Sequence, residues 1–298
     1  MASLKEIKNR ISSVKNTKKI TTAMKMIASS KLHRAQAAIT RFLPYQQKLD
    51  SILTNLLSSD TGYESPFIQK REIKKIAIVV FASNSSLCGA YNANVIKEFN
   101  AAYTKRGGEL GKENILLYPV GKKIADALKK QNLEAQGDYR EMADKPDYQA
   151  VQYLAKELIT KYVAKEIDEV VLIYHHFIST GSQKLLNVPF LPFDLEQKHG
   201  SQQNEQDSTL HVQTDYILEP SKEEILESLI PTVLYSRLYA ALLDANASEH
   251  AARTMAMQIA SDNADELVQD LTIQYNKSRQ QAVTNELLDI IGGASALQ

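Results

Sequence analysis

From Thr232 to Ile291 the chain runs for sixty residues without a glycine or a proline. Turns and strand ends need those residues, so a stretch of this length reads as one helix. At 1.5 Å per residue it would reach about 90 Å, far beyond the three turns of an average helix. Ser221 followed by Glu224 forms a capping-box start ahead of it, and Pro231 is expected to kink or restart the helix. Nine alanines fall between residues 240 and 264, a small-residue face that lets a second helix approach closely. A strict heptad is weaker here. The opening of the chain has the same character. From Met1 to Thr61 there is no glycine and one proline, Pro44, and Ser3 with Glu6 makes another capping box. The heptad positions are Leu4, Ile7, Ile11, Val14, Lys18, Thr21, Lys25, Ala28, Leu32, Ala35, Ile39, Phe42, Gln46, Leu49, Leu53 and Leu56. Twelve of these sixteen are apolar, a sustained coiled-coil seam. Lys18, Thr21 and Lys25 interrupt it, so something other than an apolar partner is expected there. A long helix of modest hydrophobicity needs a companion along its length, and the two terminal helices are expected to pair antiparallel.

Charge supports that pairing. The whole chain is neutral, with 35 Lys+Arg and 35 Asp+Glu. Residues 1–41 carry a net +9 and residues 221–298 a net −6. Ends of opposite sign attract each other or face different partners. The basic opening has the charge of a transit peptide, but Arg10 is its one arginine before residue 34, and the apolar spacing continues past residue 50. It is therefore read as mature protein. The longest purely apolar run is Ile76–Ala82, far short of the roughly 20 residues of a membrane helix. Cys88 is the single cysteine, which excludes an internal disulfide, a dithiol switch and an all-cysteine zinc site.

Between the helices the texture changes. Ile76–Phe81 and Val170–Phe177 are β-branched apolar runs that read as buried strands, with Ile115–Val120 and Lys184–Phe193 as further strands. Helical segments are expected near 91–106, 121–132 and 147–166. Strands alternating with helices indicate a mostly parallel sheet. Residues 196–209 are polar and read as a surface excursion. The fold class is α/β plus long helices: an antiparallel coiled coil of the N- and C-terminal helices with an inserted Rossmann-like α/β domain. The expected divisions are 1–61, 74–215 and 221–298.

Candidate chemistry is sparse. Ser83–Ala90 follows the first strand and is placed to cradle an anion at a helix start. It holds one glycine and no Gly-Lys-Ser/Thr, so it is no P-loop, and an ordinary strand-to-helix turn, routine in α/β folds, is the preferred reading. Cys88 in that turn reads as a nucleophile or, more simply, as a small buried residue. His175 and His176 alternate on a strand and point to opposite faces, which prevents joint metal binding. His199 and His211 lack ligand spacing. No catalytic, cofactor-binding or metal-ligating set is assigned. The basic helix admits a nucleic-acid-binding reading, but its cations alternate with an apolar seam and no aromatic residues are interleaved. A coiled-coil nucleic-acid binder and an α/β enzyme using the 83–90 turn are the alternatives.

Four segments carry a resemblance. Ile7–Met26 resembles the opening of the gamma subunit of F-type ATP synthases, Ser86–Asn92 its turn after the first strand, Ala247–Ala264 its C-terminal helix, and Tyr275–Ala294 its terminal signature. The resemblance implies a non-enzymatic central rotor without a cofactor. Its paired helices would turn inside a ring of alpha and beta subunits, and its α/β domain would sit with the epsilon subunit and the membrane c-ring. It also implies beta-subunit contacts through Lys18, Met24, Lys25, Arg253, Arg279, Gln280, Thr284 and Glu286, no nucleic-acid partner, and a peripheral position on the cytoplasmic face of a bacterial inner membrane. Gln280 and Thr284 share a helix face, whereas Glu286 lies about 200° around from Thr284.

Overall fold

A computed structural model describes residues 3–58, 66, 67, 69, 71–193, 216 and 218–296. The polar stretch 196–209, with His199, and His211 beyond it lie outside the described residues. The elements are α1 (Leu4–Ser58), β1 (Ile76–Phe81), α2 (Tyr91–Leu110), a 3-10 turn (Lys112–Asn114), β2 (Ile115–Val120), α3 (Lys122–Lys130), α4 (Arg140–Asp144), α5 (Tyr148–Val163), β3 (Glu169–Ser179), β4 (Ser182–Leu191) and α6 (Lys222–Ala296). The capping box at Ser3 forms in full, and that at Ser221 through its serine side. Ser3 N donates to Glu6 Oε2 at 2.8 Å, Glu6 N donates to Ser3 Oγ at 3.2 Å, and Glu224 N donates to Ser221 Oγ at 3.3 Å. The expected restart at Pro231 does not occur, because α6 is one helix of 75 residues with that proline inside it.

The chain divides into two compact units, Met1–Ser29 with Arg253–Gln298, and Ser30–Ala252, and each long helix contributes to both. The first unit is a helix pair. On its part of α1, Ile7, Thr21 and Ala28 are buried and Leu4, Ile11, Val14, Lys18 and Lys25 are half-buried, so every expected seam position is withdrawn from solvent. On α6 the matching positions are Thr254, Met257, Ser261, Ala264, Val268, Leu271, Tyr275, Ser278 and Ala282, all buried or half-buried. Their spacing alternates three and four, a strict heptad after all, where a small-residue face had been expected. The pairing is antiparallel: Lys18 meets Asp265 at 2.5 Å and Thr21 Oγ1 lies 2.8 Å from Ser261 Oγ.

The second unit is the α/β domain with its flanking helix segments. Its sheet has the order β2-β1-β3-β4. β1 is parallel to β2 and to β3, and β3–β4 is an antiparallel hairpin. Side chains alternate across the sheet as strand geometry demands. Ala77, Val79, Phe81, Tyr118, Leu172 and Tyr174 point to one core, shared with α5, Leu53 and Leu56 of α1, and Leu226–Leu238 of α6. Ile76, Ile78, Val80, Leu117 and Ile173 point to the other, closed by Val95, Phe99 and Tyr103 of α2 and by Ile124 and Leu128 of α3. α1 and α6 pair antiparallel here too. Arg237 donates to Asp50 Oδ1 at 2.9 Å, Phe42 meets Tyr239 edge-on at 4.9 Å, and Leu32 and Ala35 pack with Ala247 and Ala251.

Candidate functional site: the helical shaft and a filled crevice

In an open α/β sheet, ligands bind beyond the carboxyl ends of the parallel strands, where the strand order reverses. The 83–90 turn stands at that point, but its polar groups are already committed. Ser83 N donates to Asn92 Oδ1 at 3.1 Å, and Asn92 Nδ2 reaches Cys88 Sγ at 3.1 Å. Asn84 Oδ1 accepts from Lys122 N at 2.8 Å, and its Nδ2 donates to Arg140 O at 2.8 Å. Cys88 is buried. The crevice beside the turn is filled by the chain itself. Asn246 and Glu249 of α6 enter among Phe81, Ala82, Tyr91, Val120 and Ala143, leaving 10 Å³, less than a nucleotide needs by well over an order of magnitude. The turn is thus a structural strand-to-helix connection.

His175 and His176 diverge as period two requires. His176 Nδ1 lies 2.5 Å from Asp244 Oδ2, whereas His175 stacks on Tyr91 with ring centroids 4.4 Å apart. Among the described residues no group of three or more His, Cys, Asp or Glu side chains is placed to hold a metal ion. A groove of 630 Å³ runs between α1, α6 and the β3–β4 hairpin. Its polar lining includes two side chains tied to partners, Arg237 to Asp50 and His176 to Asp244.

Burial pulls the pKa of His175 from 6.5 down to about 4, and its Nδ1 makes no hydrogen bond. The unfolded chain takes up a proton near pH 6.5 and the folded chain only near 4. This contribution to stability is therefore complete above pH 6.5 and lost as pH falls towards 4. His175→Phe should flatten that loss. Between pH 7 and pH 4, wild type should lose about 2–3 kcal/mol more than the variant, measured by denaturant titration at each pH.

In the paired-helix unit, apolar residues are distributed in an unusual way. Between Lys18 and Ala28 the seam is filled by Lys18, Thr21, Lys25 and Ala28 against Thr254, Met257, Ser261 and Ala264, mostly small or polar. Over the same turns large apolar side chains face outward: Ile20, Met24, Met26 and Ile27 on α1, and Met255, Ile259 and Leu267 on α6. Met26 and Ile27 are each more than 60% exposed. The interruption that sequence reasoning flagged at Lys18, Thr21 and Lys25 is matched by polar groups of the opposite helix. Lys18 pairs with Asp265, and Thr21 and Thr22 lie within 3.4 Å of Ser261 Oγ. Beyond Ala282 the seam ends, and Val283, Leu287, Leu288, Ile290 and Ile291 are exposed.

The eight residues expected to contact a partner all fall in this unit. Met24, Arg279, Gln280, Thr284 and Glu286 are exposed, and Lys18, Lys25 and Arg253 are half-buried. Thr284 Oγ1 donates to Gln280 O at 2.9 Å, in keeping with their shared face. Sequence reasoning missed the outward apolar set, although Ile20, Met26 and Ile27 fall off the heptad and the signal was present.

The chain thus combines a long antiparallel helix pair, the build of a shaft, with an α/β domain whose crevice is filled by its own residues. The family model described as ATP synthase matches residues 3–297. The curated ATP synthase gamma chain of Phocaeicola vulgatus is 56% identical over 296 residues, covering 99% of this chain and 100% of that one. That of Bacteroides fragilis strain ATCC 25285 is 57% identical over 296 residues with the same coverage. A chain of the Euglena gracilis mitochondrial ATP synthase (OSCP/F1/c-ring) aligns with TM-score 0.65 at 22% identity, over 99% of this chain and 94% of that one. A chain of the Tetrahymena thermophila central stalk and c-ring aligns with TM-score 0.56 at 22% identity, over 81% and 99%. The chain belongs to the bacterial ATP synthase gamma-chain family, the non-catalytic central rotor of the complex. Among the described residues no helix is long and apolar enough to cross a membrane.

Proposed function

We propose that the paired-helix unit turns inside the alpha–beta catalytic head, and that the α/β domain, residues 74–215 between helices 1–61 and 221–298, takes up rotation from a membrane c-ring beside an epsilon subunit. The complex would lie on the cytoplasmic face of the bacterial inner membrane, with the chain as a peripheral component. The observation that carries this reading is the inverted shaft between residues 18 and 28. A free-standing helix pair gains nothing from a polar seam and an apolar exterior, whereas an enclosed one does, because the apolar surface leaves water on assembly. The Euglena assembly contains F1 and a c-ring, which agrees with this arrangement. No nucleic-acid partner is proposed, since the exposed cations of α1 share the shaft with apolar side chains.

Met24, Lys25, Arg253, Arg279, Gln280, Thr284 and Glu286 are the proposed beta-subunit contacts. Lys18 would take part as the Lys18–Asp265 pair rather than as a free cation. The shaft presents different faces to each catalytic subunit, so its contacts bias their conformations unequally, as population shift requires. Gln280→Leu with Thr284→Val should leave the helicity of the full chain unchanged and lower the ATP hydrolysis of the assembled complex by about 3- to 10-fold, in line with the loss of one or two interface bonds. Wild-type turnover in the assembled double variant would reduce these positions to solvated surface. Failure of the wild-type chain to co-purify with alpha and beta subunits would overturn the rotor placement itself.

A further inference from the structure

α6 is enclosed on nearly every side at one place. From Ala241 to Ala251 all residues are buried except Asp244, whose side chain is 17% exposed. Four contacts with the α/β domain fall within this stretch. His176 Nδ1 of β3 lies 2.5 Å from Asp244 Oδ2. Tyr91 OH of α2 donates to Ala245 O at 3.0 Å. Asn246 Nδ2 donates to Ala143 O of α4 at 2.8 Å, and Ser248 Oγ donates to His175 O of β3 at 3.1 Å. At about 100° per residue, positions 244, 248, 245 and 246 stand at roughly 0°, 40°, 100° and 200° around the helix. Ala247 and Ala251, which pack with Leu32 and Ala35 of α1, cover much of the remaining arc. The helix is thus bonded from three separate elements of the domain and backed by a fourth.

Apolar contact resists separation but weakly opposes sliding or rolling. Hydrogen bonds are directional and weaken steeply when bent. A buried bond that breaks leaves both groups unsolvated. Bonds distributed around a helix axis therefore oppose rotation of that helix within its socket.

We propose that this collar, formed by Asp244, Asn246 and Ser248 with the Ala245 carbonyl on α6 and by Tyr91, Ala143, His175 and His176 around them, is the torque joint that passes rotation between the α/β domain and the C-terminal helix of the shaft. The proposal rests on the rotor reading above, and it assigns these residues a mechanical positioning role separate from any contact with the catalytic head.

The test is made in the assembled complex with the head immobilised and stalled. A probe is attached through Lys105→Cys, an exposed position on α2, and its angular fluctuation reports the stiffness between domain and head. The triple variant Tyr91→Phe, Asn246→Leu, Ser248→Ala deletes three donors while keeping side-chain size nearly constant. It should widen the angular distribution by about 1.5- to 2-fold, as expected for a joint two to four times softer. Leu238→Val, which trims the same helix in the core without removing a bond, should leave the width unchanged. A triple variant with wild-type width overturns the proposal, as does equal widening by Leu238→Val. If the triple variant does not assemble, Tyr91→Phe and Ser248→Ala are read singly, and wild-type width in both overturns it. A wild-type chain that neither assembles with the head nor rotates in it would instead count against the rotor reading.

Discussion

Ile27→Asp combined with Ile259→Asp should leave the isolated chain folded and abolish its seating in the catalytic head. Both side chains are exposed, Ile27 by 61% and Ile259 by 54%. Substitutions at such positions usually change stability by no more than about 0.5 kcal/mol, so circular dichroism and the denaturation midpoint should stay at wild-type values. In the assembled state the same positions would be covered. A carboxylate placed without a partner in an apolar interface is among the costliest changes available, and two of them should reduce co-purification with alpha and beta subunits by at least about 100-fold, which corresponds to about 2.7 kcal/mol, on the scale of one interface hot spot. Ile27→Asn with Ile259→Asn, polar but uncharged, should fall between the two. Normal recovery of the complex with both aspartates in place would show that the apolar exterior of the shaft faces water.

Gly121→Ala should be the most destabilising single methyl addition in the α/β domain. Gly121 joins β2 to α3 with φ at +109°, a conformation that L side chains rarely adopt. A Cβ there would lie 2.1 Å from the carbonyl oxygen of Ala82 and 2.8 Å from its carbon. Both belong to backbone at the buried end of β1, and Ala82 N is held by Val120 O at 2.9 Å, so neither partner can withdraw cheaply. Strain of this kind with a backbone clash costs roughly 3 kcal/mol or more. The measurement is the denaturant midpoint of the full chain. Gly108→Ala is the control, because a Cβ at Gly108 meets nothing within 4 Å and its helical position favours alanine. A midpoint for Gly121→Ala within error of the Gly108 variant would refute the argument.

The sequence made the scaffold readable where burial and chemistry agree. All sixteen heptad positions of α1 are buried or half-buried, because an apolar seam of period 3.5 has one way to hide. Strand β1 was bounded correctly at Ile76 and Phe81, since a run buried on both faces carries no alternation to confuse its ends. The α6 heptad was missed because Thr254, Ser261 and Ser278 occupy core positions that a hydrophobicity count passes over. Ser261 takes its place in the seam through Thr21, and such a pairing is a property of two helices and not of either alone. The last strand was expected to reach Phe193 and stops at Leu191, because Pro192 has no N–H to continue a ladder. α4, five residues long, left no periodic signal. The filled crevice was illegible for a different reason: Asn246 and Glu249 are separated from the strands they cover by more than a hundred residues, and nothing local marks them as occupants of that space. The eight expected contact residues came from resemblance, and the structure adds that they lie in one unit.

The occupancy of the crevice by α6 limits how this chain can be cut or recombined. In many proteins an inserted α/β domain behaves as a cassette, able to fold alone and to be exchanged between relatives. Here the strand ends close on Asn246 and Glu249 of α6, more than fifty residues downstream of β4, and the core beneath β1 and β3 is completed by Leu226, Ile230, Leu234 and Leu238 of the same helix. An excised β1–β4 fragment would expose a wall of apolar side chains together with the orphaned carbonyls of Ala143 and His175, the acceptors for Asn246 and Ser248. A chimera that exchanges the domain but keeps the host helix inherits a lock cut for another key. The unit of heredity in this molecule is therefore the domain together with residues 226–251, and viable recombinants between relatives should have their crossovers outside that combined block.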